Sequence, residues 1–596
     1  MNSKNTWLWL LLAATLFATI WFLDRHFQPA ASTATEGWPD FQLGQATSVR
    51  VIPAGAFEIR ADRTNDTWYL TKPLVYPAQT AAIEALLEAL GKLTPALRIT
   101  AGELRQQPAA EQDYGFDNPR YSLILQTRRQ DPWQIKIGRL TTPGNQVYLR
   151  VGGVEGAFVA DAGWLKYLPP NANAWRDTEL VQAGGQVDEI VLTNGTKVIE
   201  LRQNPTNHLW RMTRPLEARA DSDRINRALQ DLRTARVAEF VTDDANTDPT
   251  AYDLQPAMLD LWLGRGGSLT DGLHLGKVLT NNPALIYARR EGWNGVVTTT
   301  NEPLAAWRGG VTDFRNPHLL DSTAPVHEID EWVAEGTNRF SLQRSGSNVW
   351  QVAGETFPVD AGTVQNFLTV LGNLSATEYV SDAVSATDLQ TYGLTRPSLQ
   401  ITLRPVAGDT NQVLTQLSFS APQTNSVYVL RSDENKIYRV EEADWRRIPR
   451  FALQFRERQV WNFKEQDIRQ IIVQQNGQTR RILHLGRDKW MLGDGAPGQV
   501  LGPGVEEAAH QLGVLAALVW VDRNVNDPAV FGVTTNSLQI EADLNNGRKY
   551  NLVYGQPYKG NPIALVTLEG ESWAFVVPEI LNQLVMPYLT IPSGAP

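Results

Sequence analysis

Thr67–Pro73 reads TWYLTKP, Leu209–Pro215 reads LWRMTRP, Val349–Glu355 reads VWQVAGE and Lys489–Gly495 reads KWMLGDG. The tryptophans Trp68, Trp210, Trp350 and Trp490 recur every ~140 residues, each in a short alternating segment typical of a half-buried strand. An even period over most of a 596-residue chain marks one structural unit present in four copies.

The segments around each tryptophan repeat as well. About fifteen residues on, an apolar series runs at i, i+3, i+4, i+7 and i+10. The series are Ile83/Leu86/Leu87/Leu90/Leu93, Ile225/Ala228/Leu229/Leu232/Ala235, Val364/Phe367/Leu368/Leu371/Leu374 and Val505/Ala508/Ala509/Leu512/Leu515. That spacing places all five side chains on one helical stripe and predicts one amphipathic helix per copy. Thr80, Asp221 or Ser222, and Asp360 are the expected N-caps, and Pro503 with Gly504 opens the fourth helix.

An aromatic-centred turn follows: Tyr114-Gly115-Phe116 before Pro119, Tyr252-Asp253-Leu254 before Pro256, Tyr392-Gly393-Leu394 before Pro397, and Phe531-Gly532-Val533. Glycine after the aromatic supplies an unusual backbone conformation, and proline halts any helix before the next strand. Alternating strands are expected at Ser122–Leu125, Leu259–Leu263, Leu399–Leu403 and Leu538–Ala542, continuing as a meander to a short helix bearing Trp164, Trp307 or Trp445. Trp175-Arg176-Asp177, Phe314-Arg315-Asn316 and Phe455-Arg456-Glu457 close the first three copies. The expected architecture is α+β: four tandem repeats of ~140 residues, each an antiparallel sheet with one amphipathic helix and a short second helix. The expected divisions are an anchor and tether at 1–36 and repeats at 37–180, 181–320, 321–461 and 462–596, the last degenerate.

Ahead of the repeats, Thr6–Leu23 is uncharged and, as a helix of ~27 Å, approaches the ~30 Å of a bilayer core. Trp7, Trp9 and Trp21 lie toward its ends, Lys4 precedes it and Asp24 and Arg25 follow, which predicts a single membrane anchor with the bulk of the chain outside the cytoplasm. Ala30, Ala31 and Ala34 offer the competing reading of a cleaved signal peptide, but the apolar run exceeds the usual ~7–15 residues of such a segment. Pro29–Gly37 reads as a tether.

Composition removes several functions. Lys+Arg 54 against Asp+Glu 64 gives a net charge of −10, which argues against nucleic-acid binding. The absence of cysteine excludes disulfides, thiolate metal sites and a cysteine nucleophile.

The copies act as internal controls, since a catalytic constellation is expected in one copy and fold chemistry in all. Gly493–Gly498 matches G-x-G-x-x-G, but it contains Pro497 and the matching segments of the other copies lack the glycines. Gly91-Lys92 and Gly276-Lys277 lack the following Ser or Thr of a P-loop, and Ser268 lacks the strand-to-helix context of a nucleophile elbow. Asp244-x-Asn246-x-Asp248 begins like a calcium loop, but Pro249 replaces the glycine and Gln255 the final glutamate. Its counterpart Asp522, Asn524, Asn526 and Asp527 is similarly polar. His26, His208, His274, His318, His327, His484 and His510 form no i, i+4 pair of the kind that binds zinc on a helix. No catalytic, cofactor or metal residue is expected. Trp133, Trp262, Trp293, Trp332, Trp520 and Trp573 fall outside the repeat pattern and, if exposed in a row, would suit glycan stacking.

Taken together, these motifs resemble the domain of unknown function 4340 family. The resemblance rests on Trp68-Tyr69-Leu70 with Lys72-Pro73, Tyr114-Gly115-Phe116 with Pro119, Ile137-Gly138, and Tyr392-Gly393-Leu394 with Pro397. Asp253, Ser420 in place of the Ile-Gly glycine, and Phe531 depart from the pattern. Family members are often encoded beside gliding-motility-type ABC transporter components. The resemblance therefore implies a bacterial inner-membrane protein, largely periplasmic, that serves as a non-catalytic auxiliary or scaffold and contacts permease or auxiliary subunits. The alternative expectation is a cell-wall glycan-binding protein or hydrolase.

Overall fold

The computed structural model describes Thr15 and residues 38–41, 43–128, 131–142, 144–181, 186–320, 326–333, 339–346, 349–405, 415–493, 499–557 and 560–590. Thr6, Trp7, Trp9, Trp21 and Leu23 of the expected anchor, and the tether, lie outside these residues. Among the described residues, no helix is long and apolar enough to cross a membrane.

The chain divides into two compact units, Met1–Arg315 and Asn316–Pro596, each holding two antiparallel sheets. In the first sheet the strands are β1 (Ala46–Pro53), β2 (Ile59–Thr64), β3 (Thr67–Lys72), β4 (Tyr76–Pro77), β5 (Leu97–Ile99), β6 (Tyr121–Thr127), β7 (Trp133–Leu140), β8 (Gln146–Val151) and β9 (Ala157–Asp161). Their order is β4-β3-β2-β1-β6-β7-β8-β9-β5. The long helix Thr80–Gly91 follows β4 and precedes β5, so it joins the two outer strands. Laid flat, nine strands would span ~38 Å, about twice the ~18 Å length of the helix. Yet side chains from across the sheet (Val49, Leu70, Leu123, Ile137, Leu149 and Phe158) share one core with Ile83, Leu86 and Leu90 of the helix. The sheet therefore curls around the helix. Alternation along the strands makes this fold legible: β8 reads Gln-Val-Tyr-Leu-Arg-Val, with Val147, Leu149 and Val151 buried and the residues between them partly exposed.

The second sheet (Glu189–Thr300) repeats the same nine-stranded order around helix Ser222–Thr234. The third (Val326–Glu441, helix Ala361–Asn373) and fourth (Ile468–Val576, helix Gly502–Gly513) show eight strands among the described residues, with no counterpart of β4 between Val352 and Ala361 of the third. The predicted helical stripes face these cores, with Leu93 and Leu368 packed at the margins.

Asp221 and Asp360 cap their helices, accepting hydrogen bonds from the Arg224 and Gly362 N–H groups. The expectation for Thr80 is corrected: it is the first helical residue, and Gln79 occupies the cap without a side-chain bond. The cap position is set from outside the helix. The Gln79, Asp221 and Asp360 N–H groups donate to the carbonyls of Trp175, Phe314 and Phe455, so tertiary pairing outweighs capping preference in the first copy. The short second helix is a 3-10 turn at Gly163–Tyr167 and Glu302–Arg308 and one α-turn at Glu442–Trp445, with Trp164, Trp307 and Trp445 buried. In the fourth repeat the longer helix Glu579–Tyr588 occurs instead, its Tyr588 ring seated where a Cβ on Gly504 would lie.

Trp68, Trp210, Trp350 and Trp490 are all buried. In the second and fourth repeats the indole N–H is bonded to a polar residue of the long helix, Trp210 to Asn226 at 3.0 Å and Trp490 to Glu506 at 2.5 Å. Emptying such a site costs ~3–5 kcal/mol. We predict that Trp210→Ala lowers the stability of the second repeat by about this amount, whereas half-buried Trp262→Ala costs less than half as much. Hydrogen exchange resolved by repeat measures both, and equal effects would contradict the core assignment.

Candidate functional site

The aromatic turns are built alike. Gly115, Gly393 and Gly532 have φ of +75°, +69° and +71°, and Asp253 adopts the same left-handed conformation at +56°. Its departure from glycine therefore keeps the backbone at a modest conformational cost. Each turn tyrosine packs on a tyrosine of the meander: Tyr114 on Tyr148 at 4.5 Å, Tyr252 on Tyr287 at 4.9 Å, and Tyr392 on Tyr428 at 4.7 Å. In the fourth repeat Phe531 packs with Ile563 and Leu565. The Ile-Gly glycine has a steric cause, since a Cβ on Gly138 would stand 2.0 Å from the Tyr114 carbonyl oxygen, and one on Gly276 2.1 Å from that of Tyr252. Ser420 uses its side chain instead, accepting from the Tyr428 N–H and donating to the Ala421 carbonyl.

The first and third closing tripeptides, whose role was not read from sequence, form joints between repeats inside each unit. Arg176, Arg315 and Arg456 are buried, and each bridges the segment that enters its own repeat's long helix, at Ala78, Ala220 and Val359. Within the first unit, Arg176 lies 4.1 Å from the Tyr76 ring centroid and 3.7 Å from that of Phe240, in the following repeat, and its two terminal nitrogens reach Asp243 at 2.7 and 2.8 Å. Two rings and a carboxylate thus hold one guanidinium across the joint. Within the second unit, Arg456 stands 3.6 Å from the Trp573 ring centroid and 4.6 Å from that of Trp520. Burial lowers its pKa, and beside it Arg523 joins Glu355 of the third repeat to Glu571 of the fourth. The signal for these joints was in the sequence as a recurrent aromatic-Arg pair.

Of the expected glycan-facing tryptophans, Trp520 and Trp573 are buried around Arg456. Trp133, Trp262 and Trp293 are half-buried against Phe41, His274 and Tyr76. Trp332 is in the strand Val326–Val333. The acidic loops cap turns: Asp244 accepts from the Asn246 N–H, Asp248 from that of Thr250 and Asp527 from that of Ala529. Ser268 follows the Gly266-Gly267 hairpin turn, and residues 494–498 of the glycine-rich segment lie outside the described residues.

One polar constellation is peculiar to a single copy. His274 Nδ1 is 2.5 Å from Asp260 and Nε2 is 2.8 Å from Glu291, with Trp262 edge-on at 6.0 Å. Both nitrogens are engaged, which leaves neither free to act as a base, and the carboxylates sit at opposite ends of the ring, so no single point is within coordination distance of all three. His484 stacks on Trp490 and His510 meets Glu465. Among the described residues no group of three or more His, Asp or Glu is arranged to hold a metal ion.

We predict that Arg176→Met weakens the coupling of the first two repeats, because it keeps bulk but leaves Asp243 unpaired and removes the charge from the Tyr76 and Phe240 rings. Limited proteolysis between 178 and 190 should then accelerate relative to the parent, and unchanged cleavage would show that the guanidinium does not hold the joint. A second outcome concerns acid. The hydrogen bond from Arg523 holds the Glu571 carboxyl below the usual glutamate range. Its stabilisation is therefore present above the ordinary pKa of ~4.3 and is lost as pH falls through the lowered value. Arg523→Gln should raise the midpoint of acid unfolding of the second unit, read by tryptophan fluorescence.

The family model described as a domain of unknown function, DUF4340, matches residues 68–256, 210–355 and 350–535. The matches begin at Trp68, Trp210 and Trp350, the buried tryptophans on the third strands of the first three sheets. No curated protein matches the chain. Among solved structures, the Trp-176-Ala mutant of transferrin binding protein B from Haemophilus parasuis Hp5 aligns over 93% of this chain and 100% of its own at 7% identity, but its TM-score of 0.08 carries no structural argument. With the family model spanning most of its four sheets, the chain belongs to the DUF4340 family.

Proposed function

We propose that the protein is a non-catalytic, membrane-anchored scaffold of the bacterial envelope, an auxiliary subunit of an ABC transport system. Thr6–Leu23 would serve as the anchor, with the repeats on the extracytoplasmic side and permease or auxiliary chains as partners. The observation that carries this reading is the use made of the polar residues. The buried arginines join neighbouring repeats within each unit, the acidic loops cap turns, and His274 is occupied by two carboxylates. Such side chains rigidify a surface for other chains to dock on. The ATPase and permease activities then belong to other subunits, and the family resemblance supplies the class of partner. The burial of Trp520 and Trp573 weakens the case for a glycan-stacking row.

Crosslinking in native membranes followed by identification of co-purified chains is the direct test, and transporter subunits are expected. Removing the repeats while leaving the transporter genes intact should impair the transported cargo, while the purified protein should hydrolyse neither ATP nor peptidoglycan. An unchanged transport phenotype would detach the protein from transport. Turnover abolished by Asp260→Asn or Glu291→Gln would place it among enzymes.

A further inference from the structure

The second repeat contains a cleft of about 670 Å³ beside its aromatic turn. This volume suits a small molecule, for which sites commonly measure ~300–1,000 Å³. Its floor is core: Leu259, Leu275 and Ile286 line it and are buried. Its mouth is apolar as well, with Met258 56% exposed and Val278 38% exposed. An apolar wall facing water carries a hydration cost that an apolar occupant relieves.

The departure of the second aromatic turn shapes the cleft. Tyr252-Asp253-Leu254-Gln255-Pro256 has one residue fewer before its proline than Tyr114-Gly115-Phe116-Asp117-Asn118-Pro119. Leu254 bridges Ala257, and the Met258 N–H donates to the Asp253 carbonyl at 3.2 Å, so the chain doubles back just before the strand Leu259–Arg265.

Arg308 also lines the cleft, at the end of the 3-10 turn whose Trp307 is buried. Among the described residues no carboxylate pairs with Arg308, whereas Arg446, which likewise follows its repeat's buried tryptophan, pairs with Glu442 at 2.7 Å. Arg308 is itself exposed at the rim, and partial desolvation against the cleft lowers its pKa. Asp253, the other charged residue lining the cleft, is on the exposed turn. An exposed, unpaired cation at the rim of an apolar cleft matches a ligand with an anionic head and a hydrocarbon body.

We propose that this cleft binds an anionic amphiphile, its alkyl chain against Met258 and Val278 above the Leu259, Leu275 and Ile286 core and its carboxylate or phosphate on Arg308. The inference goes beyond the scaffold role and stands without it. The same chemistry occurs in a free fatty acid and in an anionic phospholipid.

The test uses the full chain in nanodiscs of zwitterionic lipid, titrated with the fluorescent fatty acid cis-parinaric acid and with the corresponding neutral alcohol. Saturable binding is expected, with the acid preferred. Arg308→Gln should weaken acid binding about tenfold, the scale of one charge-assisted hydrogen bond, and leave the alcohol within about twofold. Ala257→Trp, which fills the cleft from a half-buried position, should abolish both, with an unchanged near-UV spectrum reporting an intact fold. Nanodiscs of phosphatidylglycerol separate the sources: competition with the probe assigns a phospholipid, and its absence assigns a free fatty acid. Absence of saturable binding, equal affinity for acid and alcohol, or indifference to both substitutions would overturn the proposal.

Discussion

Each sheet has its two outer strands connected through one amphipathic helix, and burial of that helix's apolar stripe is the constraint on which the repeat depends. Four or five side chains such as Ile83, Leu86, Leu87 and Leu90 contribute ~1.5–3 kcal/mol each when fully buried. To cover them, strands from the whole width of the sheet turn their alternate side chains inward. The signature tryptophan sits on the third strand of each sheet, deep in the core, and in two repeats its indole is tied to the helix it packs against.

The joints depend on a second interaction. A buried guanidinium is costly unless it is paired or stacked. Arg176 is both, between two rings and against a carboxylate. Arg456 is stacked by two tryptophans, and the nearby Arg523 carries the ion pairs to Glu355 and Glu571. Two solutions to one desolvation problem thus occupy the same place in two units. The excess of tryptophan, which composition presents as a possible binding surface, is partly spent here. The linker beyond each of these arginines then pairs with the next repeat, Glu179 with Arg236 and Gln459 with Ala516. Neighbouring repeats within a unit are therefore joined by backbone as well as by side chains.

Difference between copies is informative because sameness is explained by the fold. Asp253 preserves the left-handed turn, yet the shortened loop around it coincides with the cleft and with Arg308. The His274 constellation is likewise peculiar to one copy, but its geometry is that of a closed hydrogen-bonded bridge with both ring nitrogens engaged. Of the two, only the cleft offers space and an unmatched charge.

The sequence alone determined the repeat, the helical stripes, the strand alternation and the aromatic turns, because each is a local periodicity or a single-residue conformational demand. Gly138 is required by the carbonyl of Tyr114, and such demands show up as residue identities at fixed spacing. Tertiary structure alone decided that the helix connects the outer strands of a curled sheet, that Gln79 and not Thr80 caps it, and that Arg176, Asp243 and Phe240 meet. It also decided that Asp260 and Glu291 flank His274. These contacts join residues far apart in the chain, and their energies come from burial and charge geometry that no spacing encodes.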